Sequence, residues 1–261
     1  MLDRGLSFGD GLFETLRASD AQAPLRDWHW QRLCQGARRL VIVFDQRRLA
    51  GQLDQAVASS GKAAVIKLIV TRGSGGRGYR IDSNSPANCY CRRYPFVAPS
   101  IAQRRHGLTL GLCQLRLAAQ PALAGIKHLN RLEQVLARRE VDQAGWDEGL
   151  LLDQHGHPLE LTAMNLFARI AGQWWTPALT EAGVAGVMRS WLLTQQIGDF
   201  VGHQVQVERR PLSQLRRADE VFACNSVAGI LPVRKLGLWQ WPVGRTTQLL
   251  QQRVDALFGA S

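Results

Sequence analysis

The chain predicts an α+β (mixed α/β) fold in two domains, and three observations predict it. Helical and strand periodicities interleave along 261 residues without a strict βαβ alternation. Hydrophobic residues make up 46% and charged residues 20%, the balance of a globular chain with ample core material. A crossing segment near residues 98–107 separates two such runs.

The elements follow in order. FGDGLFETLRA reads as a glycine turn feeding a strand over 12–17. Residues 27–40 read as a helix whose apolar stripe is Trp30, Leu33, Ala37 and Leu40. A second helix over 49–59 ends at Gly61 as its cap. AAVIKLIVT, 63–71, is rich in β-branched residues and predicts a strand. A glycine loop at 73–78 and a polar, turn-rich stretch at 79–87 precede a strand over 88–97. Residues 1–98 therefore form a small α/β domain, 99–107 an interdomain linker and 108–261 a large domain. The large domain opens with a strand over 108–117, a turn holding Pro121 and Gly125, and a helix over 130–144. Strands over 148–152, 159–170 and 173–176 follow, the first two joined by a turn at 154–158. A helix begins after Gly186, and further signals run through 204–208, 212–217, 220–223 and 246–258.

Composition excludes several classes. No run of eighteen apolar residues exists, so no membrane span is expected. The start has no basic region followed by an apolar stretch, so no signal peptide is read and a cytoplasmic protein is expected. The formal net charge is +11, carried mostly by arginine. Those arginines are scattered, without zinc-finger spacing or an aromatic-interleaved stripe, which argues against a nucleic-acid partner. A basic surface, or a field that draws in an anionic substrate, fits better. Cys34, Cys89, Cys91, Cys113 and Cys224 are odd in number and read as reduced thiols.

GSGGRG at 73–78 satisfies a GxGxxG pattern after a strand. A dinucleotide fold needs a helix to open at once, with its N-terminus on the pyrophosphate. YRIDSNSP follows instead, so that reading fails. An arginine-bearing loop near a substrate and a plain surface turn both stand.

Four places carry possible chemistry. Lys127 sits at the end of a glycine-containing turn just before a helix. It is either a solvated lysine or an imine-forming one held at the end of an element. Glu160 interrupts an apolar strand and is either an edge position facing water or a buried carboxylate that needs a partner. The stretch from Gly183 to Arg189 opens a helix, whose free N–H groups suit a phosphate. Asn225 and Ser226 follow an apolar strand, where a hydroxyl and a backbone N–H offer further phosphate contacts.

Taken in order, FGDGLFET, HWQRL, TRGSGGRGY, GIKHLNRLEQV, DEGLLLD, ELTAMNLF, AGVMR and CNSV resemble the fold-type IV pyridoxal 5'-phosphate (PLP) enzymes, the branched-chain-aminotransferase-like family, from Gly9 to about Val233. GIKHLNRLEQV and TRGSGGRGY resemble the 4-amino-4-deoxychorismate lyases within that group. The resemblance implies PLP as cofactor, with Lys127 as the Schiff-base lysine and Glu160 paired with the pyridine nitrogen. It implies Arg32, the backbone of Val187 and Met188, and Ser226 as phosphate contacts. It implies Arg77 as a substrate-carboxylate contact, often reaching a neighbouring subunit's site, and Asn130 as a polar residue near the cofactor. It also implies a homodimer releasing 4-aminobenzoate and pyruvate from a small anionic substrate. The alternatives are a D-amino-acid or branched-chain aminotransferase of the same fold and, from another class, a nonenzymatic basic binding protein. Relatives usually carry a strand and hairpin ahead of DRGLSFGDG. Here that segment starts at Asp3: either the chain is naturally short or its start is assigned too late, and loss of such a hairpin would expose a strand edge.

Overall fold

The computed structural model describes residues 2–82, 85–195 and 204–259. It divides into two compact units, Met1–Val97 with Ile126–Arg131, and Ala98–Gly125 with Leu132–Ser261.

The first unit holds α1 (Arg4–Phe8), β1 (Gly11–Ala18), α2 (Arg26–Leu40), α3 (Gln46–Ala58), β2 (Ala64–Thr71) and β3 (Asn88–Pro95). The strands form an antiparallel sheet in the order β1-β2-β3. Period-two alternation puts Leu12, Glu14, Leu16 and Ala18 on the buried side of β1, and Ala64, Ile66, Leu68 and Val70 on that of β2. Helix α2 buries Leu33, Cys34 and Ala37, and its last turn carries Arg38 and Arg39, the sign its dipole favours. A Cβ on Gly36 would come within 2.9 Å of the Leu12 side chain, so glycine lets α2 lie close on β1. Asp45 starts α3 by accepting the Arg48 N–H at 2.9 Å.

Several expectations are corrected here. The opening is a short helix, not only a glycine turn. Asp3 caps it by accepting the Gly5 N–H at 2.6 Å, and Gly9 closes it with φ +66°. Ser59, not Gly61, is the C-cap of α3, and Gly61 turns the chain two residues later at φ +64°. The edge of β1 is partly covered, because its Phe13 N–H donates to the Lys127 carbonyl (3.0 Å) and its Gly11 carbonyl accepts from Leu129 N–H (2.9 Å). That pairing is why Ile126–Arg131 belongs to this unit although the sequence places it in the large domain. Of the polar stretch 79–87, Ser83 and Asn84 lie outside the described residues.

The second unit holds α4 (Ile101–His106), β4 (Leu108–Leu117), α5 (Leu132–Ala144), β5 (Glu148–Asp153), β6 (Pro158–Leu161), β7 (Asn165–Ile170), β8 (Gln173–Pro177), α6 (Val187–Gln195), β9 (Gln206–Glu208), α7 (Leu212–Leu215), β10 (Ala218–Asn225), β11 (Gly229–Leu236), β12 (Trp239–Gln240) and α8 (Arg245–Leu257). Its sheet runs β6-β5-β4-β11-β10-β7-β8-β9, with β12 paired to β11. The β5–β4, β4–β11 and β8–β9 pairs are parallel and the rest antiparallel, so the sheet is mixed. Every residue of β5 is buried. Leu150 and Leu152 join one apolar cluster with Trp175 and Val221, and Leu151 joins another with Val141 and Leu159. Neighbouring residues point to opposite faces, so the sheet is packed on both sides there.

Two further expectations change. The segment read as linker contains α4, with a reciprocal capping box between Ser100 and Gln103. The strand read over 159–170 breaks into β6 and β7. The bend between them is held by Glu148, which accepts the Thr162 hydroxyl and the Ala163 N–H. Among the described residues, no helix is long and apolar enough to cross a membrane. All five cysteines are free.

Candidate active site

The residues singled out from sequence fall into two groups, one in each unit. In the first unit the turn bearing Lys127 is fixed through its backbone. Besides the two bonds to β1, Arg131 donates from Nε to the His128 carbonyl and from Nη2 to the Ile126 carbonyl, each at 2.9 Å. A lysine in such a turn has a set origin for its flexible stem. Its Nζ lies 4.3 Å from the Phe13 ring centroid, and Lys67 Nζ lies 5.4 Å from the same ring. Lys127 is half-buried.

Arg32 stands on α2 and is held by Glu14, a residue the sequence reading left without a role. Glu14 is 1% exposed. It accepts from Arg32 Nε at 2.8 Å and Nη2 at 2.5 Å, and from His29 Nδ1 at 2.6 Å. Burial alone would raise the Glu14 carboxyl, but the Arg32 charge and the bonds from Arg32 and His29 outweigh it and hold it at about 2. Burial also lowers the His29 imidazole, against the pull of Glu14. A neutral His29 donating to a carboxylate carries its proton on Nδ1. Its buried Nε2 has no hydrogen-bond partner among the described residues. A signal for Glu14 existed in the sequence: it shares the phase of Leu12, Leu16 and Ala18, the buried phase of β1.

Arg77 is exposed on the glycine loop. The loop is not a free turn. Arg4, 5% exposed, donates to the carbonyls of Gly75, Gly78, Tyr79 and Arg80 at 3.1–3.4 Å and pairs with Asp10 at 3.0 Å. Asn130 has a structural contact: its Nδ2 donates to the Gly9 carbonyl at 3.1 Å.

In the second unit the loop 183–186, which leads into α6, gathers three partners. Glu160 on β6 is 4% exposed, accepting the Val184 N–H at Oε2 (2.8 Å) and Gln134 Nε2 at Oε1 (3.3 Å). Asn165, opening β7, donates from Nδ2 to the Val184 carbonyl (2.9 Å) and accepts the Gly186 N–H at Oδ1 (3.0 Å). Gly125, two residues before Lys127 in the chain, pairs with Gly183 and Ala185 at 2.9 and 3.0 Å. Glycine is required on this loop. A Cβ on Gly186 would sit 2.0 Å from Asn165 Oδ1, and Gly183 has φ +85° with its Cβ position 3.2 Å from Glu160 Oε2. Val187 and Met188 occupy the first turn of α6, whose N–H groups the helix itself leaves without acceptors. Arg189 follows, 7% exposed, donating to Thr176 Oγ1 at 3.2 Å and the Pro177 carbonyl at 2.9 Å. Asn225 has structural contacts of its own. Its Oδ1 accepts the Val227 and Ala228 N–H groups (3.0 and 2.7 Å) and its Nδ2 donates to the Ala163 carbonyl (3.2 Å). The side chain shapes the turn that presents Ser226. Sequence reasoning missed Asn165, Arg131 and Arg4, whose partners are backbone groups that no local pattern picks out.

A buried carboxylate, glycine-lined backbone at a helix start and a hydroxyl-bearing turn belong to the second unit, and the backbone-pinned lysine belongs to the first. A carboxylate and free helix-start N–H groups are the donor types that a pyridinium nitrogen and a phosphate require. The amino-transferase class IV family model matches residues 11–236, and the chain belongs to that family. Within it, the chain is 36% identical to an aminodeoxychorismate lyase of Vibrio harveyi, over 97% of this chain and 94% of that protein. It is also similar to the crystal structure of 4-amino-4-deoxychorismate lyase from Pseudomonas aeruginosa, with TM-score 0.92 and 43% identity over 97% of this chain and 93% of the other. A branched-chain amino acid aminotransferase from T.th., solved with pyridoxamine 5'-phosphate, aligns with TM-score 0.84 and 25% identity over 99% of this chain and 88% of the other. The mixed α+β, fold-type IV class expected from the sequence holds.

Proposed function

We propose that this chain is a PLP-dependent 4-amino-4-deoxychorismate lyase that releases 4-aminobenzoate and pyruvate. The likeness at 43% identity over 97% of the chain to a lyase of that name carries the choice of lyase over aminotransferase. The donor set described above supports PLP. When bound, PLP supplies an electron sink for the pair left on the substrate carbon that bears the amine.

The chain's own residues have these parts. Lys127 holds the cofactor through its amine, and its freed Nζ takes the proton from substrate C4. Glu160, pre-set by Val184 N–H, keeps a ring nitrogen protonated. The amides of Val187 and Met188, the Ser226 hydroxyl and the Arg32 guanidinium bind the phosphate. Glu14 and His29 position Arg32. Arg77 meets a substrate carboxylate, in its own or a neighbouring subunit of a homodimer. Loss of the C4 proton lets the C3–O bond break. The leaving oxygen carries the C3–O electron pair away as pyruvate enolate, which takes a proton to become pyruvate, and the six-membered ring becomes aromatic. The reading places the enzyme in the cytoplasm with a small anionic substrate and no nucleic-acid partner.

The test is incubation of the PLP-loaded protein with 4-amino-4-deoxychorismate, following 4-aminobenzoate fluorescence without any keto acid. Turnover is expected from the wild type and a loss of at least a thousandfold from Lys127→Ala. Conversion of D-alanine or L-leucine with 2-oxoglutarate, and no 4-aminobenzoate, would make the chain an aminotransferase instead.

A further inference from the structure

A second cluster of cations lies in the second unit, apart from every residue used above. Arg105, His106, Arg234, Lys235, Gln240, Trp241 and Val243 line a cleft of about 390 Å³, within the roughly 300–1,000 Å³ range of small-molecule sites. Its wall contains no carboxylate. Two features of the backbone bring these side chains together.

The first is a β-bulge in β11. Val233 pairs with Leu108 and Lys235 with Thr109, so Arg234 is an extra residue with no counterpart on β4. Regular alternation would send Arg234 and Lys235 to opposite faces. The burial sequence is instead Val233 in, Arg234 exposed, Lys235 half-exposed and Leu236 in, so both cations leave the core side together. Gln240 is paired across from Lys235, which brings its amide to the same place.

The second is the end of α4. Its last turn carries Arg104, Arg105 and His106. Arg104 is engaged by Asp255. Arg105, His106, Arg234 and Lys235 form no ion pair among the described residues. Gly107 then turns the chain at φ +81°, and a Cβ there would stand 3.0 Å from the Pro232 carbonyl and 3.2 Å from the Arg234 nitrogen. Glycine thus allows the basic end of α4 to close on the bulge. In the same wall Trp241, 5% exposed, has a buried indole N–H with no acceptor among the described residues.

We infer that this cleft is a binding site for a small polyanion bearing adjacent phosphate groups, either free or as the tail of a nucleotide. Three permanent cations converging in one concavity outmatch what a single phosphate needs, and guanidinium groups favour bidentate contact with phosphate oxygens. The site is independent of the proposed lyase chemistry.

Isothermal titration of the PLP-loaded protein tests it, since the cofactor then fills its own phosphate subsite. The probes are inorganic phosphate, pyrophosphate, ADP and a short DNA duplex. Pyrophosphate is expected to bind at least tenfold more tightly than phosphate, and Arg105→Gln with Arg234→Gln to weaken it at least tenfold. ADP no tighter than pyrophosphate assigns a free polyanion, and ADP clearly tighter assigns a nucleotide. Both cations are exposed, so the unliganded melting temperature should hold. Were the double variant not to fold, the half-buried Lys235→Gln alone should still weaken pyrophosphate severalfold. No binding at millimolar pyrophosphate, unchanged binding in the variants, phosphate as tight as pyrophosphate, or duplex DNA preferred over every small anion would each overturn the inference.

Discussion

Glu14 concentrates several properties of the first unit in one carboxylate. It is buried, yet held near 2 because Arg32 and His29 both donate to it. Its stabilising contribution is present above its unfolded value of 4.5 and is lost as pH falls through about 2. Relative to Glu14→Gln, the wild type should therefore gain on the order of 3 kcal/mol at neutral pH, taking about 1.4 kcal/mol per tenfold in proton affinity. That advantage should shrink between pH 4.5 and 2. Urea unfolding of both proteins across that range checks it, and a gap that widens in acid would refute it. His29 acts in the same direction. Its folded-state value lies below 6.5, so the unfolded chain takes up the proton first and stability declines below pH 6.5. Lys127 was legible as a candidate, but only as one of two readings. The backbone pairing that fixes its turn against β1 is announced by no local pattern. Arg77 was legible as a loop cation, but its tether was not, because Arg4 acts on carbonyls more than seventy residues away.

At the scale of elements, the long helices and the strands of the first unit were readable because each has one buried face. The alternation of β1 and β2 and the stripe of α2 are period signals. Short elements escaped. Helices α1 and α4 have five and six residues, too few for periodicity, and depend on the Asp3 and Ser100 caps. The break between β6 and β7 escaped because Leu159, Leu161, Leu166 and Phe167 are all buried, which reads as one apolar run. Two predictions belong here. Asn165→Ala removes the two side-chain bonds that Asn165 makes to the loop 183–186. It should weaken PLP binding at least tenfold by equilibrium dialysis while shifting the apoprotein melting temperature by only a few degrees. Arg4→Ala should leave PLP affinity unchanged and make the 75–80 loop the preferred site of limited proteolysis, since four carbonyls lose their donor. Cleavage elsewhere first would contradict that role.

For the whole molecule, the family was legible because the segments carrying chemistry occur in a fixed order, and that order survives where local readings of elements fail. The unit boundaries were less legible, because Ile126–Arg131 clusters with a unit whose other residues end at Val97. The formal net charge of +11 remains a property of the whole chain, and the cleft beside β11 is one place where it is organised. Lysine, by contrast, is scarce: Lys62, Lys67, Lys127 and Lys235 are all the chain has. That scarcity makes the central claim directly measurable. Borohydride reduction of the PLP-loaded protein fixes the cofactor to whichever amine holds it, and peptide mass mapping locates it. The account predicts one phosphopyridoxyl group per chain, on the peptide containing Lys127. A label on Lys62, Lys67 or Lys235, or none at all, would contradict it.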